Sequence, residues 1–323
     1  MEAKIIDAIP LSLIEAELTE DRFLRDTNKG GNKIYIVNAN NAPNVMREIG
    51  RLREIAFRAA GGGTGKDCDI DEFDTMNPPC QQLVVWDPDS RLILGGYRFI
   101  IGTDIKIEDG KPRIATSHMF NFSQKFIDEY LPYTLELGRS FVRTEYQSSR
   151  EGAKALFALD NLWDGLGALT VVYPQMKYFF GKVTMYTTYN FRARNLLLYF
   201  LKKYFQDKDA LVKPVTPLEC DIDNPAHHEL FEGLDYKEGY KVLQKELKNN
   251  GEHIPPLINS YMNLSPTMKV FGTAINHGFG GVEETGILVS IPDIYPEKIE
   301  RYITPVRLWV HRIRVRWWNR KQD

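Results

Sequence analysis

Residues 135–152, LELGRSFVRTEYQSSREG, constrain the fold of this chain more than any other stretch. Leu135, Leu137, Phe141 and Val142 supply the apolar, partly β-branched content of a buried strand. Glu136 and Arg139 lie inside that run, where an ionised group costs free energy unless it is paired or used. Gln147, Ser148 and Ser149 end the strand chemistry, and Gly152 permits close backbone approach before a helix opens. The free N–H groups of that helix's first turn suit a phosphate lying over the loop. One segment thus predicts a strand, a carboxylate, a guanidinium and an anion cradle in succession.

The rest of the chain reads as support for that segment. Apolar spacing predicts helices over 10–25, 44–58, 153–165, 190–205 and 256–264, the third closed by Gly165. A further helical stretch is expected from Ser123. Strands are predicted over 33–38, 82–86, 92–101, 177–185, 269–274 and 285–291, with DPDS turning the second into the third. That order is an α/β chain with a mixed sheet. The two late strands should complete the first sheet, because a lone two-stranded ribbon is marginal. We expect one catalytic domain over 1–303 with an insertion at about 206–255, which contains a helix over 236–248. A basic, Trp-rich tail over 304–323 follows. In it Arg307, Arg312, Arg314 and Arg316 interleave with Leu308, Trp309, Val310, Trp317 and Trp318. Such a tail fits an anionic membrane surface or a terminal helix docked on the domain.

Other features exclude function classes. A net charge of −2 over 323 residues argues against a nucleic-acid-binding protein. Cys68, Cys80 and Cys220 show no paired metal spacing, which points to a reducing compartment without structural zinc. Acidic residues near the N-terminus speak against a signal peptide, and no run of about 18 apolar residues predicts a membrane span. A cytoplasmic protein is expected. The run Gly61-Gly62-Gly63-Thr64-Gly65-Lys66 is not a P-loop, since Ala60 and Asp67 stand where the motif needs Gly and Ser or Thr. It reads as a flexible loop or lid, with direct phosphate binding as the alternative. Asp67, Asp69, Asp71, Glu72 and Asp74 form either a solvated turn or a wall in which Asp71 and Asp74 pair with arginines. No histidine has an aspartate five residues on, so the His-x-x-x-x-Asp motif of lysophospholipid O-acyltransferases is missing.

A carboxylate and an arginine on one strand, beside an anion-binding loop, suit group transfer from a phosphate-bearing carrier. The carboxylate would take a proton from an amine, directly or through water. The succession RLREIAF, DIDEFD, QLVVWD, LGGYRFI and ELGRSFVR resembles the GNAT-fold N-acyltransferases that use acyl-carrier-protein thioesters. These include the ornithine-lipid N-acyltransferases and, more distantly, the acyl-homoserine-lactone synthases. The longer run MREIGRLREIAFRAAGGGTGKDCDIDEFD is most similar to the branch that acylates glycine at the start of glycine-lipid synthesis.

The resemblance implies a GNAT-like mixed, largely antiparallel sheet flanked by helices. It implies transfer of a (3-hydroxy)fatty acyl chain from acyl carrier protein to a small amino-acid acceptor, with the phosphopantetheine thioester as co-substrate. It implies no bound cofactor and no metal. The product would be an N-acylglycine for aminolipid synthesis, made at the inner face of the cytoplasmic membrane. By motif, Glu136 is the base and Arg139 its neighbour. Arg53 and Phe57 match the Arg-x-x-x-Phe of the first helix, and Asp71, Asp74 and Arg98 match the polar cluster of the homoserine-lactone branch. Arg143, Gln147, Arg150 and Gly152 fall to the phosphopantetheine. Arg150 replaces the first glycine of the acetyltransferase pyrophosphate loop, a departure from coenzyme A binding. Other readings stand beside these. Glu136 with Arg139 could be a buried ion pair that fixes the strand. Arg53, Asp71, Asp74 and Arg98 could be one structural network. The acceptor could be ornithine, or the chain a non-catalytic binder of lipid or carrier protein.

Overall fold

A computed structural model of the chain describes residues 2–147 and 153–308. The described residues build a sheet of eight strands in the order β1-β2-β3-β4-β5-β6-β8-β7. The strands are β1 (Phe23–Asp26), β2 (Lys33–Val37), β3 (Gln81–Asp87), β4 (Leu92–Ile101), β5 (Thr134–Val142), β6 (Tyr178–Met185), β7 (Lys269–Asn276) and β8 (Val282–Ser290). The central strands β3 and β4 are buried almost throughout. Their near-continuous apolar sequence is what a sheet covered on both faces requires. As expected, the late strands complete the first sheet.

One face carries α3 (Ala153–Val172) and α4 (Phe191–Phe205), backed by α5 (Tyr236–Asn249) and α6 (Pro256–Met262). Leu162, Leu166 and Leu169 of α3 meet Leu83, Val85 and Phe99 there, and Leu243 and Leu247 of α5 join the same core. The other face carries α2 (Pro43–Ala59) and α1 (Leu11–Glu17). Val45, Ile49, Leu52 and Ala56 of α2 pack on Val84, Trp86, Ile93 and Phe141.

All neighbouring strands run antiparallel except β5 and β6. That parallel pairing covers only residues 134–137 against 178–181. Beyond Leu137, β5 continues along β4 to Val142. Beyond Gly181, β6 continues along β8 to Met185. The two strands part, and the sheet opens into a V at its centre.

The structure corrects two boundaries. The helix predicted over 10–25 ends at Glu17, and residues 23–26 form β1. Phe23 and Leu24 suit either period. Strand pairing wins because Phe23 lies opposite Tyr35, their rings edge to face at 5.7 Å. Gly165 does not close α3, which runs on to Val172. A Cβ there would sit 2.6 Å from the Leu83 side chain, and one at Gly167 would sit 2.4 Å from the Tyr302 carbonyl. These glycines permit close packing rather than termination. Within residues 206–255, Val212–Pro214 pairs with Phe120–Phe122 as a short ribbon, and α5 packs on α4. Of the predicted tail, residues 304–308 continue a helical segment with Val306 buried. Trp309, Val310, Arg312, Arg314, Arg316, Trp317 and Trp318 lie outside the described residues. No described helix is long and apolar enough to cross a membrane.

A buried carboxyl on α3 gives the fold a measurable pH dependence. Asp164 accepts hydrogen bonds from the backbone N–H of Asn28 (2.8 Å) and from its Nδ2 (2.5 Å). Burial raises its pKa to about 6. A carboxyl that binds its proton more tightly when folded favours folding fully below its unfolded pKa, near 4. That contribution is lost as pH rises through 6, about 3 kcal/mol in all. Denaturant unfolding at pH 4 and pH 7 should show this loss in the wild type, and Asp164→Asn should remove it. Equal pH slopes in the two proteins would rule it out.

Candidate active site

Side chains alternate along a strand, so ionisable residues at matching levels of neighbouring strands share one face. On the α2 face this places Gln82 of β3, Arg98 of β4, Glu136 of β5, Lys182 of β6 and Glu284 of β8 in a belt across the sheet. Arg53 reaches the belt from α2. Its Nη1 lies 3.3 Å from both Asp74 oxygens, and its Nη2 donates to Gln82 Oε1. Arg98 Nη1 donates to Asp71 Oδ1 at 2.6 Å and sits 3.3 Å from Asp74. Asp71 and Asp74 also cap the short helix Glu72–Thr75 reciprocally. Burial alone would raise the Asp74 carboxyl. Arg53 and Arg98 overcome it and hold Asp74 well below the usual range.

Arg139 adopts φ +48°, the left-handed region that a residue with a Cβ enters only at a cost. The kink turns its guanidinium away from Glu136 and toward Asp69 (2.9 Å) and Asp71 (3.4 Å), stacked 4.7 Å over the Phe279 ring. The reading of Glu136 and Arg139 as a buried ion pair is therefore corrected. Glu136 is 2% exposed and lies in register between Ile100 and Phe180. It makes no direct hydrogen bond or ion pair among the described residues. Burial raises its pKa, against the pull of Arg98 and Lys182.

Lys182 ion-pairs with the fully buried Glu284. Glu284 also accepts from Thr184 Oγ1 at 2.9 Å and Asn276 Nδ2 at 3.3 Å. Burial lowers the Lys182 pKa, with Glu284 opposing and Arg139 adding to the fall. The sequence reading passed over this pair. Its signal was the one that singled out Glu136, namely a charge within an apolar strand, in YFFGKVTM and VEETGILVS.

A cavity of about 800 Å³ opens where β5 and β6 part and passes between the two faces. Phe57, Arg139, Lys182, Thr184 and Phe279 line it on the α2 side. Leu137, Leu159, Phe179, Leu257 and Ile287 line it on the α3–α6 side. Of the predicted residues, Phe57, Arg139 and Gln147 thus reach the cavity. Gln147 donates from Nε2 to the Val142 carbonyl at 2.7 Å. Glu136 lies one layer behind the wall. Arg53, Asp71, Asp74 and Arg98 bind one another beneath it, as a single network. Arg143 pairs with Glu145 at 3.2 Å, away from the cavity. Arg150 and Gly152 lie outside the described residues.

The glycine loop is tied down. Thr64 and Gly65 donate their backbone N–H groups, and Thr64 its hydroxyl, to the buried carboxylate of Glu54. Donors already held by a carboxylate are not free for a phosphate, so the direct phosphate-binding reading of this loop is set aside.

The cavity offers cationic groups at one opening and an apolar channel behind. That suits an acyl chain delivered on a polar arm, with an anionic acceptor beside it. The acetyltransferase (GNAT) domain family matches residues 52–156, from α2 through β5. Over 301 residues the chain is 60% identical to the glycine N(alpha)-acyltransferase of Bacteroides thetaiotaomicron, covering 93% of this chain and 89% of that protein. The glycine N(alpha)-acyltransferase of Phocaeicola vulgatus is 58% identical over 301 residues, covering 93% of this chain and 92% of that protein.

Proposed function

We propose that this chain, which belongs to the glycine N(alpha)-acyltransferase family of the GNAT fold, moves a (3-hydroxy)fatty acyl group from acyl carrier protein to the amine of glycine. The observation that carries the reading is the cavity through the parted strands, cationic on one face and apolar on the other. The names of both relatives support glycine as acceptor. Arg150 in place of the pyrophosphate-loop glycine favours a carrier-bound phosphopantetheine over coenzyme A.

In this mechanism the acyl chain lies in the apolar channel and its thioester at the parting of β5 and β6. The phosphopantetheine runs toward Gln147, and its anion contacts are assigned by the sequence motif alone to Arg150 and Gly152, with Arg143 outside the cavity wall as a further cation for the arm where it leaves the site. Arg139, whose Nε and Nη2 face Asp69 and Asp71 and whose Nη1 is left over among the described residues, holds the glycine carboxylate through a charge-assisted hydrogen bond, or Lys182 does so with an N–H that Glu284 does not take. Glu136 takes a proton from the glycine ammonium through an intervening water, because the carboxylate lies behind the wall. The free amine attacks the thioester carbon. The C–N bond forms, the C–S bond breaks, and the departing sulfur ends as the thiol by taking the second amine proton. The N-acylglycine then feeds aminolipid synthesis. Acyl carrier protein is the partner, and no bound cofactor takes part. A cytoplasmic location, with the 304–323 tail against the inner membrane face, completes the reading.

The test is mass spectrometry of purified protein incubated with 3-hydroxyacyl carrier protein and an equimolar mixture of glycine and ornithine. N-acylglycine, with one free carrier thiol per product, is the expected result. Acylornithine as the main product would overturn the acceptor. An intact thioester and no acyl amide would overturn the reaction.

A further inference from the structure

The two cations on the α2 side of the cavity share one aromatic ring. The Arg139 guanidinium lies 4.7 Å from the centre of the Phe279 ring, and Lys182 Nζ lies 5.7 Å from it. Arg139 belongs to β5 and Lys182 to β6, so the ring bridges the parting of the two strands. It lines the cavity there together with Phe57 and Tyr186.

This ring is held from behind. Phe279 is 5% exposed and sits on the tight turn His277–Phe279 between β7 and β8. Phe57 packs on it edge to face at 5.1 Å. Gly280 follows at φ +77°, and a Cβ there would sit 3.0 Å from the Cα of Gly62. A Cβ on Gly62 would in turn sit 3.4 Å from the Phe279 ring and 3.2 Å from the Tyr186 ring. Gly62 is fixed by its own N–H, which donates to the Phe57 carbonyl at 2.9 Å. The two glycines thus let the turn and the glycine loop close up against the ring. A ring packed in this way cannot step back for an extra methyl group without displacing its neighbours.

We propose that Phe279 is the residue that limits the acceptor to an amino acid without a side chain. This rests on the acyl-transfer reading given above. Whichever cation takes the acceptor carboxylate, the acceptor Cα comes to lie beside the same ring. Its amine must face the thioester to react. Two positions on Cα remain, and the ring closes the space they point into. Hydrogens fit there and a methyl group does not.

The experiment is a competition between acceptors. The purified protein receives acyl carrier protein charged with one acyl chain, together with equimolar glycine and racemic alanine. The ratio of N-acylalanine to N-acylglycine is read by mass spectrometry. Both acceptors meet the same enzyme and the same donor, so loss of folded protein cancels from the ratio. The wild type should make almost only N-acylglycine. Phe279→Ala should raise the ratio about tenfold or more, the scale on which a fitted pocket discriminates by one carbon. Phe279→Leu, which keeps the core filled, should raise it in the same direction. An unchanged ratio in both variants would overturn the role of Phe279, as would a wild type that acylates alanine as readily as glycine. In either case acyl transfer would still stand. A wild type that forms neither amide would overturn both readings.

Discussion

Replacing Glu136 by Gln is expected to lower kcat by about 10²–10⁴-fold, the usual contribution of a positioned general base, and to leave the protein folded. The side chain keeps its shape and loses only its charge. Glu136 has no hydrogen bond or ion pair to lose among the described residues, and burial makes its ionised form unfavourable. A group whose folded pKa is raised above its unfolded value adds stability below the unfolded pKa. That stability is gone once the pH has risen through the folded value. At pH 8 the ionised carboxylate is therefore a cost that Gln removes, and the melting temperature should hold or rise. The base must be ionised to act, so wild-type kcat should fall as pH drops through a pKa above the ordinary carboxylate range. The acid limb should vanish in the variant. A purely structural Glu136 would give a lowered melting temperature with kcat within about threefold of wild type, and that result would sink the assignment.

The largest effect on stability should come from Asp74→Ala. Asp74 is fully buried between Arg53 and Arg98. Arg98 would keep Asp71, but Arg53 would retain only Gln82 as a hydrogen-bond partner. Leaving such a cation uncompensated costs about 3–5 kcal/mol, or roughly 5–15 °C in melting temperature for a chain of this size. Because the Asp74 pKa is depressed in the folded state, its contribution is full above its unfolded pKa, near 4. It is lost as pH falls through the folded value, so Asp74→Ala should flatten acid unfolding. Removing both charges in Arg53→Met/Asp74→Leu should recover part of the loss, since a buried pair replaced by apolar groups is often nearly neutral. A loss under about 1 kcal/mol in Asp74→Ala, or a double variant weaker than the sum of the singles, would contradict this account of the network.

What could be read from the sequence follows from which forces are local. The stripe Val45, Ile49, Leu52 and Ala56 declared α2, and the apolar runs of β3 and β4 declared their pairing, because periodicity is a property of neighbours. Phe23 and Leu24 misled because two apolar residues fit either period, and the choice was made by Tyr35 across the sheet. Gly165 misled because its purpose is set by Leu83, some eighty positions away in the chain. The site divides in the same way. Glu136 and Arg139 announced themselves as charges within a strand. What each faces depends on residues far along the chain: Asp69 and Asp71 for Arg139, and Glu284 for Lys182. No spacing rule carries that information, and a left-handed residue in mid-strand, as at Arg139, breaks the alternation on which such rules rest.

The parting of β5 and β6 also bears on how this sheet avoids unwanted company. Open strand edges invite other chains to pair, and most proteins keep them short, charged or covered at the rim. Here residues 138–142 and 182–185 form ladders only on their outer sides, toward β4 and β8. Two unpaired edges therefore face each other in the middle of the sheet. They are screened by position rather than by sequence, because α2 and α6 stand on either side of the gap. The fold can thus keep a long stretch of backbone donors and acceptors open without becoming a seed for aggregation.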